Sequence, residues 1–110
     1  MTVNERLIAA LSPLGLPVLP DTDPGHRERC FTFNYDAQPY HWADDRPHYW
    51  RDLIQVHLFL PLGENGLELR GRAVTALVSG GFSWPEVLDL SDDEGQHYVY
   101  EVEYLQKMEV

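Results

Sequence analysis

Apolar residues near the N-terminus recur at the spacing of a helix. In residues 2–12 an apolar position falls every three or four residues, at Val3, Leu7, Ile8 and Leu11. That period places them on one face of an α-helix. Thr2 and Glu5 have the spacing of a capping box, in which each side chain satisfies a backbone N–H of the other residue. Pro13 and Gly15 end the pattern, so the sequence predicts a short amphipathic helix.

A second helix is predicted over residues 65–79. Its apolar side is formed by Leu67, Ala73, Val74, Leu77 and Val78. Asn65 is a suitable capping residue, and Glu68, three positions further on, is able to reach back to it. Gly71 costs about 1 kcal/mol relative to alanine inside a helix, so we expect it to mark a close contact with a sheet. The glycines at 80–81 end the helix.

Four other segments alternate between apolar and polar residues, which is the period of a half-buried strand. They are residues 30–36, 49–60, 82–90 and 97–106. Pro85 interrupts the third segment and indicates an edge or bulged strand, because proline donates no backbone hydrogen bond. Residues 16–29 contain three prolines and predict a loop, with a short edge segment at Leu16, Val18 and Leu19.

The order of these elements is α-β-β-α-β-β. Sequential strands can pair as hairpins, so we expect an α+β fold: an antiparallel four-stranded sheet with two helices packed on one face. The length of 110 residues fits a single domain, 1–110. Alternation then makes the opposite face polar and open to water or to another subunit. It carries Thr32, Asn34, Gln55, His57, Glu101 and Glu103.

The first two strands are joined by the stretch QPYHWADDRPHYW, residues 38–50, which we interpret as a loop between Pro39 and Pro47. Its histidines and aspartates are metal-ligand types, and His41, Asp44 and His48, with His57 as a further member, define the alternative of a small metal-binding protein or hydrolase. A zinc site requires three or four protein ligands that are held by rigid elements. Aspartates are also common turn formers, so the sequence favours a polar loop.

Aromatic residues make this stretch unusual for a solvent loop. Tyrosine and tryptophan are typical anchors of protein interfaces, although they also cap one end of a core, and both interpretations stay open. We predict an interface formed by Tyr40, Trp42, Asp44, Asp45, Tyr49 and Trp50.

The strongly negative net charge of the chain limits the kinds of partner that it can bind. The chain has 8 basic and 18 acidic residues, a formal net charge of −10. This argues against binding to nucleic acid or an anionic membrane, which both require a positive surface. Cys30 is the single cysteine, so no internal disulfide can form. Cys30 and His57 lack an oxyanion hole, a third orienting group and a glycine elbow, so we predict no catalytic residue and no cofactor.

The chain resembles the small tail-completion or tail-terminator proteins of long-tailed phages and prophages of Gram-positive bacteria. The resemblance rests on LGLPV at 14–18, FNY at 33–35, ADDRPHY at 43–49, IQVHLFLP at 54–61, GF with a nearby proline at 81–85, and a closing acidic strand. It covers almost the whole chain with short pieces. It implies a structural protein without an active site and with an α+β fold.

The resemblance further implies a ring, commonly a hexamer, that caps the finished tail tube at its head-proximal end. The expected partners are further copies of the chain, the tail tube protein and the head–tail connector. The expected location is the virion tail, and the host cytoplasm during assembly. A head–tail joining protein is the alternative within this setting, and a small host-side binding module is another. In a ring, Glu101 and Glu103 would meet basic residues of a neighbour, for which Arg27, Arg29, Arg70 and Arg72 are candidates.

Overall fold

The computed structural model describes residues 1–20 and 28–108. Residues 21–27, which include Arg27 and half of the predicted 16–29 loop, lie outside the described residues. The fold is α+β, with two helices and one five-stranded mixed sheet. No helix in the described part of the chain has the length and apolarity that crossing a bilayer requires.

Both predicted helices are present, although the apolar side predicted for the second is wrong at Leu67, which is 71% exposed, whereas Leu69 is buried. Helix α1 spans Val3–Leu11 and continues into a 3₁₀ turn, Ser12–Leu14. Thr2 caps it, because its Oγ1 accepts a hydrogen bond of 3.1 Å from the backbone N–H of Glu5. Helix α2 spans Leu67–Ser79. The N-cap of α2 is Gly66, without a side-chain capping hydrogen bond, so the prediction that Asn65 is the capping residue is wrong by one position. The Oδ1 of Asn65 still accepts a hydrogen bond of 3.2 Å from the N–H of Leu67, a free donor at the start of α2.

The sheet contains one strand more than predicted. Its members are β1 (Val18–Pro20), β2 (Cys30–Ala43), β3 (Arg46–Leu60), β4 (Glu86–Asp89) and β5 (Gln96–Lys107), in the order β1-β2-β3-β5-β4. Strand β1 runs parallel to β2, and the other pairs are antiparallel. The prediction of a four-stranded antiparallel sheet is therefore wrong. The additional strand corresponds to the short edge segment predicted at Leu16, Val18 and Leu19, since β1 contains Val18 and Leu19 and lies at the edge of the sheet.

One face of the sheet forms the core together with both helices. The alternation predicted for β3 and β5 is confirmed, since Ile54, Val56, Leu58 and Leu60 face the same way as Tyr98, Tyr100 and Val102. They pack with Phe31 and Phe33 of β2 against the buried side of both helices, which consists of Val3, Leu7, Leu11, Leu69, Ala73 and Leu77. Both helices thus cover one face, as predicted.

The stretch 38–50 is not a loop, and that prediction is wrong. Strands β2 and β3 stay in register as far as Ala43 opposite Arg46, and only Asp44 and Asp45 form the turn. Their φ angles are 53° and 63°. Positive φ at both central residues is the conformation of the type I′ turn, which is common in two-residue hairpins. The N–H of Phe31 points away from β3, to Pro17. Pro39 is an even number of residues further along β2, so its nitrogen also faces away from β3, toward the free edge of the sheet. The lack of an N–H at Pro39 therefore removes no hydrogen bond between β2 and β3.

Gly71 makes no close contact with the sheet, and this expectation is also wrong. It is exposed on α2, and a Cβ atom added there would meet nothing within 4 Å.

We expect Gly71→Ala to raise the free energy of unfolding by about 1 kcal/mol, because alanine gives up less backbone entropy in a helix. Urea denaturation of the variant beside the wild-type chain measures this. A destabilised variant would show that Gly71 has a structural role that its surroundings do not reveal.

Candidate functional site: the arm and the open sheet face

We call residues 38–50, the distal part of the β2–β3 hairpin, the arm. The fifteen residues of β3 span about 50 Å at roughly 3.3 Å per residue, close to the longest dimension of the molecule, 54 Å. None of the residues of the arm is buried. Tyr40, Trp42 and Trp50 are 40%, 64% and 41% exposed, and Tyr49 is half-buried. The arm therefore presents large aromatic surfaces beyond the part of the sheet that the helices cover.

The histidines of the arm do not form a ligand set with its aspartates. His41 and His48 lie between the register pairs Tyr40–Tyr49 and Trp42–Pro47, and His41 has a left-handed φ of 60°. The ring of His41 packs edge-on against Tyr49, with 5.8 Å between centroids, while Nε2 of His48 donates to the carbonyl of Ala43 at 3.3 Å. No group of three or more His, Cys, Asp or Glu residues in ranges 1–20 and 28–108 has the arrangement of a metal site.

We call the sheet face without helices the open face. The end of this face that lies away from the arm is more buried than predicted. Asn34, Gln55, Glu101 and Glu103 are exposed on it as expected. Thr32, however, is only 3% exposed, so its predicted exposure is wrong. Its register partner His57 is partly buried, and Val99, which pairs with His57 on the next strand, is buried.

A histidine pair lies at this shielded end. Nε2 of His57 is 3.1 Å from Oδ1 of Asn34, and Nδ1 is 2.8 Å from Nε2 of His97. With Asn34 as acceptor, His57 carries its proton on Nε2 and accepts a hydrogen bond from His97. Burial lowers the pKa of His57, and the nearby charge of His97 lowers it further. His97 was not singled out from the sequence, because only the register brings it beside His57.

Cys30 is buried at the same end of the open face. Burial raises the pKa of the Cys30 thiol, and the carboxylate of Glu28 raises it further. A catalytic thiol needs a lowered pKa, which supplies the thiolate. The described residues around Cys30 therefore disfavour the nucleophile considered in the sequence analysis.

Carboxylates line a depression of about 640 Å³ in the middle of the open face. We call four of them the acidic half of the open face: Asp36, Glu86, Glu101 and Glu103. Glu86 and Glu101 are direct cross-strand partners, an arrangement of like charges that destabilises a sheet. None of the four makes an ion pair with a described residue. This concentration of charge costs stability without helping to hold the fold together.

Trp84 forms the rim of the depression and is 76% exposed. The segment that carries it is fixed to β5 through its neighbour Ser83. The N–H of Ser83 donates to the carbonyl of Glu103 at 3.0 Å, and the N–H of Glu103 donates to Oγ of Ser83 at 2.7 Å. An exposed tryptophan on a fixed segment beside unpaired carboxylates is typical of a surface that contacts another protein.

The arginines considered as partners of a neighbour are mostly engaged within the chain. Arg29 forms an ion pair with Glu64 at 2.9 Å. Arg70 stacks over the ring of Tyr98 at 4.0 Å. Arg72 is exposed on α2. Arg51 was overlooked in the sequence, but it lies on the open face, over the ring of Tyr40 at 4.7 Å.

Comparison with known proteins gives no family for this chain. No known protein-family model matches it. A search of curated proteins finds no significant match.

Proposed function

We propose that this chain is a structural protein of phage or prophage virion assembly, a tail terminator that forms a ring at the head-proximal end of the tail tube. The resemblance in sequence gives the setting, and the exposed aromatic arm is the observation that carries the proposal. A head–tail joining protein remains the alternative within that setting.

The arm supports an assembly role because it exposes apolar surface to water in the monomer and contributes no buried residue to the core. Trp42 is 64% exposed on a hairpin that has no buried residue between 38 and 50. Large exposed aromatics of this kind are favoured where they become buried against a partner. The contacts in a ring are heterologous, so an arm on one subunit meets a different surface on the next.

The shape of the arm also suits a contact of defined geometry. Strand β5 runs beside β3 as far as Lys107 opposite Tyr49, and the N–H of Met108 donates to the carbonyl of His48 at 2.9 Å. The base of the arm is thus a three-stranded ribbon, and the hairpin continues as two strands through Trp42 to the tip. A ribbon that is ordered before binding gives up less conformational entropy on association.

Ring formation is tested by measuring particle mass with multi-angle light scattering over a wide range of protein concentration, alone and with purified tail tubes. We expect closed particles of one size, and negative-stain images with the particle at one end of the tube only. A chain that stays monomeric alone and does not bind tubes would contradict the proposal.

A further inference from the structure

The two ends of the exposed open face carry opposite charge. The acidic half, Asp36, Glu86, Glu101 and Glu103, was defined above. The next rows of side chains toward the tip belong to the same face, since register pairs Gln38 with Arg51 and Leu105, and Tyr40 with Tyr49 and Lys107. We call Arg51, Lys107 and Tyr40 the basic half of the open face. Asp44 and Asp45 lie beyond these rows, in the turn at the tip.

The cations of the basic half have no acidic partner in the described chain. The guanidinium of Arg51 contacts Oε1 of Gln38 at 3.3 Å and the ring of Tyr40. Its Nε is buried without a hydrogen-bond partner. Lys107 is exposed at the edge of the ribbon. Both charges are therefore free to pair with carboxylates from outside the molecule.

Spacing along the strands separates the two halves. The acidic rows are centred on Asn34 and Asp36, and the basic rows on Gln38 and Tyr40. Four residues of strand correspond to roughly 13 Å. The nearest rows, those of Asp36 and of Arg51, are two residues or roughly 7 Å apart, which is within the screening length of about 8 Å at physiological ionic strength. Arg51 nevertheless forms no ion pair with a described carboxylate and contacts Gln38 and Tyr40 instead.

We propose that the basic half of one copy packs on the acidic half of the next copy, head to tail. This names the surface that receives the arm, and it therefore rests on the proposed function. The occupant is a second copy because this chain itself presents the complementary charge: the basic half carries Arg51 over the ring of Tyr40, and the acidic half lines a depression beside Trp84. Each interface uses one acidic and one basic half, so copies add in one direction and can close into a ring.

Charge reversal tests the contact. Glu101→Lys/Glu103→Lys reverses two carboxylates and, at +2 for each, changes the net charge from −10 to −6. General repulsion between copies then falls, so nonspecific association would strengthen. At the proposed contact, however, the two new lysines face Arg51 and Lys107, and only Asp36 and Glu86 of the acidic half stay acidic, so we expect association to weaken roughly tenfold or more. Arg51→Glu/Lys107→Glu should weaken it by a similar factor.

The chain that combines all four substitutions returns the net charge to −10. It places two lysines in the acidic half, where Asp36 and Glu86 stay acidic, and two glutamates in the basic half, so the new lysines of one copy can pair with the new glutamates of the next. We expect it to recover self-association, as should a mixture of the two double variants. Glu68→Lys/Asp93→Lys is the matched control, since it adds the same charge at exposed positions away from the open face. Circular dichroism and urea denaturation show that each variant is folded.

Particle mass by light scattering and analytical ultracentrifugation gives distinct outcomes. If the wild-type chain forms rings and the charge-reversed variants form them equally well, the proposed contact between the two halves is wrong and the ring proposal stands. If the chain is monomeric both alone and on tubes, both proposals fail. A particle that stops at two copies overturns the head-to-tail arrangement. A monomer that binds tail tubes only with Glu101 and Glu103 intact assigns the acidic half to the tube protein instead.

Discussion

Replacing residues 39–50 with a two-residue Asn-Gly turn is expected to abolish assembly and leave a folded monomer. Gln38 and Arg51 are register partners, so they can flank a tight turn directly, and Asn-Gly is favoured in two-residue hairpins. The replacement removes the exposed aromatics of the arm. No buried residue is lost, so we expect the free energy of unfolding to fall by less than about 2 kcal/mol.

Light scattering of the shortened chain, with urea denaturation to establish its stability, measures both effects. Trp42→Ala gives a graded version, and a central interface tryptophan typically contributes about 2 kcal/mol or more, which corresponds to roughly thirtyfold in affinity. Leu67→Ala is the control, since it removes an apolar side chain that is 71% exposed at the start of α2. Rings that persist in the shortened chain would show that the arm is not the contact.

The periodic segments explain why much of the fold was predictable from sequence. Long stretches of period two or 3.6 specify which side of an element is buried, as at Ile54 to Leu60 in β3 and at Val3, Leu7 and Leu11 in α1. The capping residue Thr2 marks where α1 begins. These signals are local, so one sequence suffices to read them.

The errors come from features that depend on distant parts of the chain. Residues 38–50 contain two prolines and adjacent aspartates, which by themselves indicate a loop. Pairing prevails because the register set between Cys30 and Phe59 continues outward, and Pro39 faces the free edge of the sheet. Strand β1 likewise forms because β2 offers an unpaired edge from Phe31 to Phe33.

The candidate surfaces were predictable only in part for the same reason. Alternation placed Glu101 and Glu103 on the open face, and composition drew attention to the aromatics of the arm. Glu86 joins the acidic half only through the strand order β2-β3-β5-β4, which also brings Asp36 of β2 into one row with Glu103 of β5. Arg51 and Lys107 become neighbours of Tyr40 only when three strands are aligned. A pattern of charge that extends across several strands can be predicted only when the register between the strands is known, and the sequence of one strand does not contain that information.

The second large effect is a loss of stability at high pH that depends on Tyr100. Its ring is fully buried at the centre of the core, and its hydroxyl donates to the carbonyl of Arg70 at 3.0 Å. Burial raises the pKa of Tyr100 from 10 to about 12, against the opposing charge of Arg70 and with a small further rise from Tyr98. The folded chain therefore retains this proton at a pH where the unfolded chain has lost it.

The direction of the effect follows from the protons bound in each state. Below pH 10 both states are protonated and Tyr100 adds no pH dependence. Between pH 10 and about 12 the unfolded chain binds one proton fewer, so the free energy of unfolding falls by about 1.4 kcal/mol per pH unit. Over these two units we expect a loss of about 3 kcal/mol due to Tyr100.

Tyr100→Phe isolates this contribution from the other groups that titrate at high pH. At neutral pH the variant should be less stable by about 1 kcal/mol, because the hydrogen bond to Arg70 is lost. Near pH 12 the order should reverse, since phenylalanine carries no proton to lose. Guanidinium denaturation of both chains at matched pH values measures the difference, and Tyr40→Phe controls for removing a phenol from the exposed arm. A difference between wild type and Tyr100→Phe that stays constant from pH 8 to 12 would contradict the buried, hydrogen-bonded hydroxyl.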